Sequence, residues 1–184
     1  MTENELFALV GATLTAGLGR LAPGLAVDVR QAYNPRQVGR PGGPAVLLSK
    51  TGSRRYGSMQ RRDFWDTTAA PPVEKHIESQ QMQVMLQANA LYPLPTQPQE
   101  IPDMTAGDLL GLASAVLQSS AGLAQLRGAG VGIERITELR HPYFTSDREA
   151  FEASPSFDFT LDFTWTITTT TPIIEEVDLV ILRV

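Results

Sequence analysis

Few side chains in this sequence have the types and spacing that enzyme chemistry requires. The chain contains two histidines, His76 and His141, and no cysteine, which excludes disulfides, thiolate metal sites and a cysteine nucleophile. The histidines form no HExxH pair, and residues 39–44 lack the GxxxxGK[ST] spacing of a phosphate-binding loop. Asp158 and Asp162 share one face of a predicted strand, but the rise per residue separates them by about 13 Å, too far for paired carboxylates. We therefore expect no catalytic residue, no metal site and no cofactor.

One local cluster carries a clear physical signal, the segment SRRYGSMQRRDFWD at residues 53–66. Arginines beside aromatic side chains are typical of protein interfaces and also of surfaces that meet nucleic-acid phosphates. Three interpretations stay open, namely an interface, a DNA-facing surface and a solvated hairpin. No base-reading motif accompanies the cluster, so we do not expect sequence-specific DNA binding. The candidate interface or DNA-channel residues are Arg54, Arg55, Arg61, Arg62, Tyr56 and Trp65.

The charge of the chain is distributed unevenly. The formal net charge is -5, yet residues 20–75 hold ten Lys and Arg against four Asp and Glu, a net of +6. Residues 76–184 hold five against fourteen, a net of -9. Such a separation could attract copies of the chain to one another, or present a basic surface to nucleic acid and an acidic surface to a protein. The uneven distribution of charge is explained equally well by ordinary solvent-exposed surfaces.

Two long runs of alternating residues predict the strands that would carry the cluster. The first run, QQMQVMLQANALY, follows a proline-containing break at TTAAPPVE, which predicts a long hairpin arm at 53–92 in which residues 53–66 pair with residues 74–90. The second run, SFDFTLDFTWTITTTT, is about twice as long as a usual strand. We expect it to be a central strand whose apolar face, from Phe157 to Trp165, packs on a helix. Its Thr and Asp face would then meet a neighbouring subunit or a channel, and residues 168–171 would extend beyond the globular body.

Capping signals predict two helices. Thr2 and Glu5 have capping-box spacing and open a short N-terminal helix that Gly17, Gly19, Pro23 and Gly24 would end. Thr105 and Asp108 repeat this spacing at the start of the main helix, whose apolar positions from Leu109 to Leu123 follow helical periodicity and which should end near Gly128 or Gly130.

Together these segments predict an α+β fold with a mixed, mainly antiparallel β-sheet, packed by one main helix plus an N-terminal helix and carrying a long β-hairpin arm. A mass of 20.0 kDa and a hydrophobic content of 42% suit one domain, residues 1–184. A last apolar run, IIEEVDLVILRV, closes the chain. No apolar run approaches the roughly 20 residues of a membrane span, so we expect no membrane contact.

The order of these segments resembles the neck and tail-terminator proteins of long-tailed bacteriophages, of the gp12-like neck-terminator kind. The resemblance runs from about Gln31 to the C-terminus. It rests on the segments QAYNPRQVGRPGGPAVLL, ESQQMQVMLQANALY, DMTAGDLLGLASAVLQ, GAGVGIERITELR and DREAFEASPSFDFTLDFTWTI.

The resemblance implies a structural virion protein with no catalytic residue to carry over. It implies a ring, typically a homohexamer, that caps the head-proximal end of the tail tube, meets the tail tube protein and the head-completion or connector proteins, and lets DNA cross its channel. Such a protein lies in the neck or tail of the virion and in the host cytoplasm during assembly. One alternative is a head-completion or stopper protein of the same neck. Another, from a different class, is a small β-rich ligand-binding protein or enzyme, which would need a deep pocket with converging polar groups.

Overall fold

The computed structural model describes residues 1–32, 43–69, 73–92, 104–136, 138–141, 143–145, 151–153 and 155–172. The helices are α1 (Glu3–Leu21), α2 (Ala106–Gln118) and α3 (Ser120–Gly128). The strands are β1 (Asp28–Gln31), β2 (Ala45–Asp66), β3 (Val73–Leu91), β4 (Val131–Ile133), β5 (Tyr143–Thr145), β6 (Phe151–Ala153) and β7 (Ser156–Pro172). The last apolar run of the sequence lies outside the described residues.

Five of these strands form one sheet in the order β1-β2-β3-β7-β4, while β5 and β6 form a separate pair. Only β1 and β2 run parallel, and the pairs β2–β3, β3–β7 and β4–β7 are antiparallel. The prediction of an α+β fold with a mixed, mainly antiparallel sheet is confirmed. The second long run is an inner strand of the sheet, as expected, because β7 lies between β3 and β4, although β3 is the middle strand of the five.

The helices cover one face of this sheet at its base. On β7 the side chains of Phe157, Phe159, Leu161 and Phe163 are buried, and α2 contacts both β3 and β7. The predicted apolar face of β7 therefore does pack into the core, with Trp165 partly buried at its edge. Burial of the alternate side chains follows from the period of two in the sequence, because successive side chains of a strand point to opposite faces.

The N-terminal helix ends at Leu21, just before Pro23 and Gly24, as predicted, and beyond the two other predicted glycines, which lie inside it. Its capping box is present, with Thr2 N donating to the Glu5 carboxylate at 2.7 Å, but α1 continues through Gly17 and Gly19 to Leu21. A β-carbon added at Gly17 would lie at most 3.0 Å from the side-chain atoms Cβ, Cγ1 and Cγ2 of Val116. Gly17 therefore permits α1 to approach α2 closely, and this tertiary contact outweighs the local tendency of glycine to end a helix.

The predicted main helix is two helices, although its end at Gly128 is where the sequence placed it. The axes of α2 and α3 are bent by 56° at Ser119. The Ser119 hydroxyl donates to the Val116 carbonyl at 2.7 Å and accepts from Gly122 N at 3.0 Å, so this one side chain caps both helix ends. Within the described ranges, no single helix is long and apolar enough to cross a membrane, and only the bent pair of α2 and α3 reaches that length and composition together.

Candidate interface on a three-stranded arm

The outer part of the sheet forms an arm made of residues 54–66, 73–81 and 164–172. Residues 53–65 pair with residues 74–84 in antiparallel register, as the hairpin prediction requires. The third strand of the arm is the outer half of β7, paired from Thr164 opposite Gln81 to Pro172 opposite Val73. The sequence predicted this strand and its extension beyond the globular body, but not its pairing with the hairpin. At about 3.3 Å per residue, residues 164–172 span about 30 Å. The β7 and β2 side chains of the arm are largely exposed, so the sheet continues well past its helix-covered base.

The register distributes the candidate residues over both faces of the arm. We call the face that continues from the buried side of β7 the helix-side face, and the other the open face. The guanidinium of Arg55 lies 5.3 Å from the ring centroid of Trp165, which places Arg55 on the helix-side face. Tyr56 reaches Asp162 on the open face, its hydroxyl 3.4 Å from Oδ1, and Arg54 donates to Gln83 there. Alternation along β2 then assigns Arg61 and Trp65 to the helix-side face and Arg62 to the open face.

A β-bulge separates the first pair of arginines from the second pair along β2. The β2–β3 register shifts between Tyr56 and Gln60, and Gly57 adopts a φ of 69° that favours glycine. The buried side chain of Gln80, 7% exposed, donates to the carbonyls of Tyr56 at 2.6 Å and Gly57 at 3.0 Å. The four arginines therefore form no single patch, because each adjacent pair is split across the sheet and the two pairs are separated by the bulge.

Ion pairs hold the outer part of the helix-side face. Asp63 Oδ1 accepts from His76 Nδ1 at 2.8 Å and from Arg61 Nε at 3.0 Å, and His76 Nε2 lies 3.8 Å from a Glu74 oxygen. The hydrogen bond from His76, followed by that from Arg61, holds the pKa of Asp63 below its ordinary value. Sequence reasoning missed this cluster, although the predicted hairpin would have placed Asp63 close to His76.

The open face is acidic at its base and basic toward its tip. At the base, Gln83 Nε2 donates to Glu134 at 2.8 Å and to Asp162 at 3.1 Å. Partial desolvation and the nearby Asp162 carboxylate raise the pKa of Tyr56. At the tip, Lys75 Nζ lies 2.5 Å from an Asp66 oxygen, and Arg62 makes no ion pair with any described residue. The carboxyl pKa of Asp66 is lowered by Lys75 and by Thr68.

Two depressions could be considered as ligand sites. The larger, about 400 Å³, is open to solvent between α1 and the β1–β2 edge and is lined by Ala8, Gly11 and Arg30 among others. The smaller, about 180 Å³, lies near Lys50, Arg55 and Trp165. Neither is lined by a histidine. In the part of the chain that the structure describes, no group of three or more His, Asp or Glu side chains could hold a metal ion.

Comparison with known proteins gives one family. The family model described as E217 gateway protein gp29 matches residues 5–173. No curated protein matches the chain. Among solved structures, the sheath/tube terminator of PVC, an extracellular contractile injection system, in its extended state, is similar at 11% sequence identity and a TM-score of 0.48. The match covers all of this chain and 65% of that one, so the chain spans less than two thirds of that structure.

Proposed function

Because the chain belongs to the family of the E217 gateway protein gp29 and is thus a structural protein of the bacteriophage neck and tail, we propose that it forms a ring in the neck. The match confirms the phage neck and tail-terminator resemblance seen in the sequence, and the family is structural and not enzymatic. In the proposed ring the whole chain, residues 1–184, acts as one domain. The ring caps the tail tube, provides the joint to the head and lets DNA cross its channel.

The exposed arm is the observation that supports this proposal best. Its three strands continue past the helices, and large apolar side chains stay exposed on both of its faces, among them Trp65 at 61%, Phe64 at 44% and Ile167 at 37%. Exposed apolar groups on a rigid, regular surface mark sites of association. A structural protein whose longest strands extend past its own core is best explained by neighbours that bury their exposed outer halves.

The partners follow from the proposed position. Copies of the chain would contact one another around the ring, which we propose is a homohexamer. The tail tube protein would bind one side of the ring and head-completion or connector proteins the other. Assembly would take place in the host cytoplasm. Contacts with the crossing DNA would be non-specific, since backbone phosphates carry no sequence information.

Measuring the mass of the purified protein and locating it in virions tests the proposal. We expect a closed oligomer, with six copies as the predicted number, found at the end of the tail tube that faces the head. A strict monomer that is absent from virions would refute it. Density on the head side of the joint, out of contact with the tube, would instead assign the chain to a head-completion or stopper role in the same neck.

The two faces of the arm allow a sharper test of the DNA contact. Toward the tip of the open face Arg62 and Lys75 outweigh Asp66, while Arg54 lies nearer the base, close to the acidic Asp162 and Glu134. On the helix-side face the charges of Arg55 and Arg61 are offset by acidic residues of β3 and by Asp63. If DNA passes the arm, it should pass the open face, since phosphates are attracted to the excess of positive charge.

We therefore expect the double variant R54E/R62E to assemble into rings but to reduce the fraction of virions that retain or deliver DNA. The matched variant R55E/R61E changes the same residue types in the same strand, one position away. It should reduce ring assembly, and the particles that do assemble should retain DNA. Electron microscopy of particles and infectious titre separate these outcomes. Equal loss of DNA retention in both variants would rule out the assignment to the open face.

A further inference from the structure

Along the arm, no described residue pairs with the outer edge of β7. β4 pairs with β7 only at residues 161–163, and an isolated bridge joins Arg140 to Ser156. From Thr164 outward, β7 has a described partner only on its β3 side.

Three hydrogen bonds reveal which backbone groups this edge presents. The carbonyl of Thr160 accepts from Glu134 N at 3.0 Å, and Ser156 exchanges two bonds of 2.8 Å with Arg140. Even-numbered residues of β7 therefore direct their N–H and C=O away from β3, because these groups alternate in side along a strand. The β3–β7 register has no shift, so the same holds to the tip. The outward-directed residues of the arm are Thr164, Thr166, Thr168 and Thr170.

This edge lacks the features by which proteins protect exposed strand edges. Natural edges carry charges, especially lysine, or prolines and bulges that prevent another strand from pairing. Residues 164–171 contain no charged residue and no proline, and they are rich in threonine, which favours strands. The opposite edge of the arm, on β2, carries four arginines, which oppose its pairing with a second β2 edge, and a bulge at residues 57–59, beyond which residues 60–66 again pair regularly with β3. The contrast indicates that the β7 edge is built to be paired.

We propose that the β7 edge of the arm pairs with the outer edge of β2 in the arm of a second copy, so that the sheet continues from one subunit to the next. This inference rests on the proposed ring. A ring that closes by rotation joins two different surfaces of the same chain, and these two edges are the opposite sides of one arm. Pairing β2 with β2 would set arginines against arginines, whereas the β7 edge is neutral and lies in the part of the chain with a net charge of -9. Since β2 and β7 both run antiparallel to β3, arms that point the same way would meet in parallel.

A disulfide test is possible because the chain has no cysteine. Arg62 and Thr168 both stand opposite Ile77, two strand spacings or about 9.6 Å apart, whereas a disulfide needs Cα atoms within about 7 Å. In the double variant R62C/T168C any disulfide must therefore join different copies. We expect oxidation of assembled protein to give a ladder of covalent oligomers that ends at the ring number. The variants Q60C/T168C and F64C/T168C would form the disulfide instead if the two arms are shifted along each other by two residues in either direction.

Single-cysteine controls separate the rival pairings. A dimer from T168C alone would show that two β7 edges meet, and a dimer from R62C alone would show that two β2 edges meet; either result overturns the proposal. No disulfide in any of the three double variants, in rings of normal mass, overturns the proposal while leaving the proposed ring intact. A strict monomer that is absent from virions refutes the proposed function instead.

A second variant pair tests the backbone itself. T168P removes an outward N–H and leaves the β3–β7 bonds, because proline is tolerated where the N–H faces away from the sheet. T168V keeps the N–H and replaces the hydroxyl. We expect T168P to lose the oligomers and T168V to keep them. Amide exchange at Thr166 and Thr168 should slow only in the oligomer. Slow exchange in dilute monomer would show that the edge is covered within one chain, and this would overturn the proposal.

Discussion

Replacing Gly17 by alanine should leave the protein no more stable than the parent, although alanine is the better helix former. The β-carbon would lie at most 3.0 Å from three atoms of Val116, so α1 must move away from α2 or Val116 must change rotamer. Gly11, in the same helix, is the matched control, because a β-carbon there would meet nothing within 4 Å.

Both substitutions gain helix propensity, but only the one at Gly17 also overpacks the contact between α1 and α2. Replacing glycine by alanine inside a helix is favourable by about 1 kcal/mol at both positions. Overpacking costs about 1–3 kcal/mol, and it applies only at Gly17. We expect G11A to raise the free energy of unfolding by about 1 kcal/mol and G17A to lie about 1–3 kcal/mol below G11A. For a chain of this size each kcal/mol corresponds to about 2–4 °C in Tm.

Urea and thermal unfolding at one protein concentration measure both variants. The background V116A sharpens the assay, because it removes the two γ-carbons of Val116 that the new methyl would meet. In the V116A background, G17A should then raise the free energy of unfolding. In the parent chain, G17A should give a smaller free energy of unfolding than G11A gives. A G17A protein as stable as G11A in the parent background would refute the conclusion that glycine serves close helix packing here.

Two further predictions concern the arm. The pKa of Asp63 is lowered by the hydrogen bond from His76 and then by Arg61, so the stability it provides is present above its ordinary value near 3.8 and is lost as the pH falls through the lower, folded value. D63N should therefore flatten the loss of stability on acidification in urea titrations, and parallel curves would contradict this. Q80L should remove both hydrogen bonds to the bulge carbonyls, cost about 0.5–1.5 kcal/mol because water can reach the exposed bulge, and speed amide exchange at residues 57–59. Q81L, at the exposed neighbour, should not.

Much of the fold could be predicted because its signals are local. Alternation in residues 156–171 indicated a strand, and the structure extends that strand to Pro172. Both predicted capping boxes are present, at Thr2 and at Thr105. The errors occur where a distant contact outweighs a local tendency. Gly17 would end a helix by its own preference, but it lies inside one because Val116 packs against it.

The candidate interface was also predicted in part from the sequence. The sequence alone identified the arginine and aromatic cluster, the pairing of its strand with residues 74–90, and the shortage of catalytic groups. It could not assign the arginines to faces, because moving the register by one residue turns every side chain to the other side of the sheet, and the bulge beyond Tyr56 changes the register within the arm.

Only the tertiary structure decided that β7 is the third strand of the arm and that its threonine edge is open among the described residues. A run of threonines and alternating apolar residues specifies that a strand forms and which residues share a face. It does not specify the neighbours of that strand, because pairing between residues far apart in the chain depends on how the whole sheet packs against its helices. The length of β7 was visible in the sequence, whereas the reason that we propose for that length, an edge directed toward another subunit, rests on the arrangement of the strands.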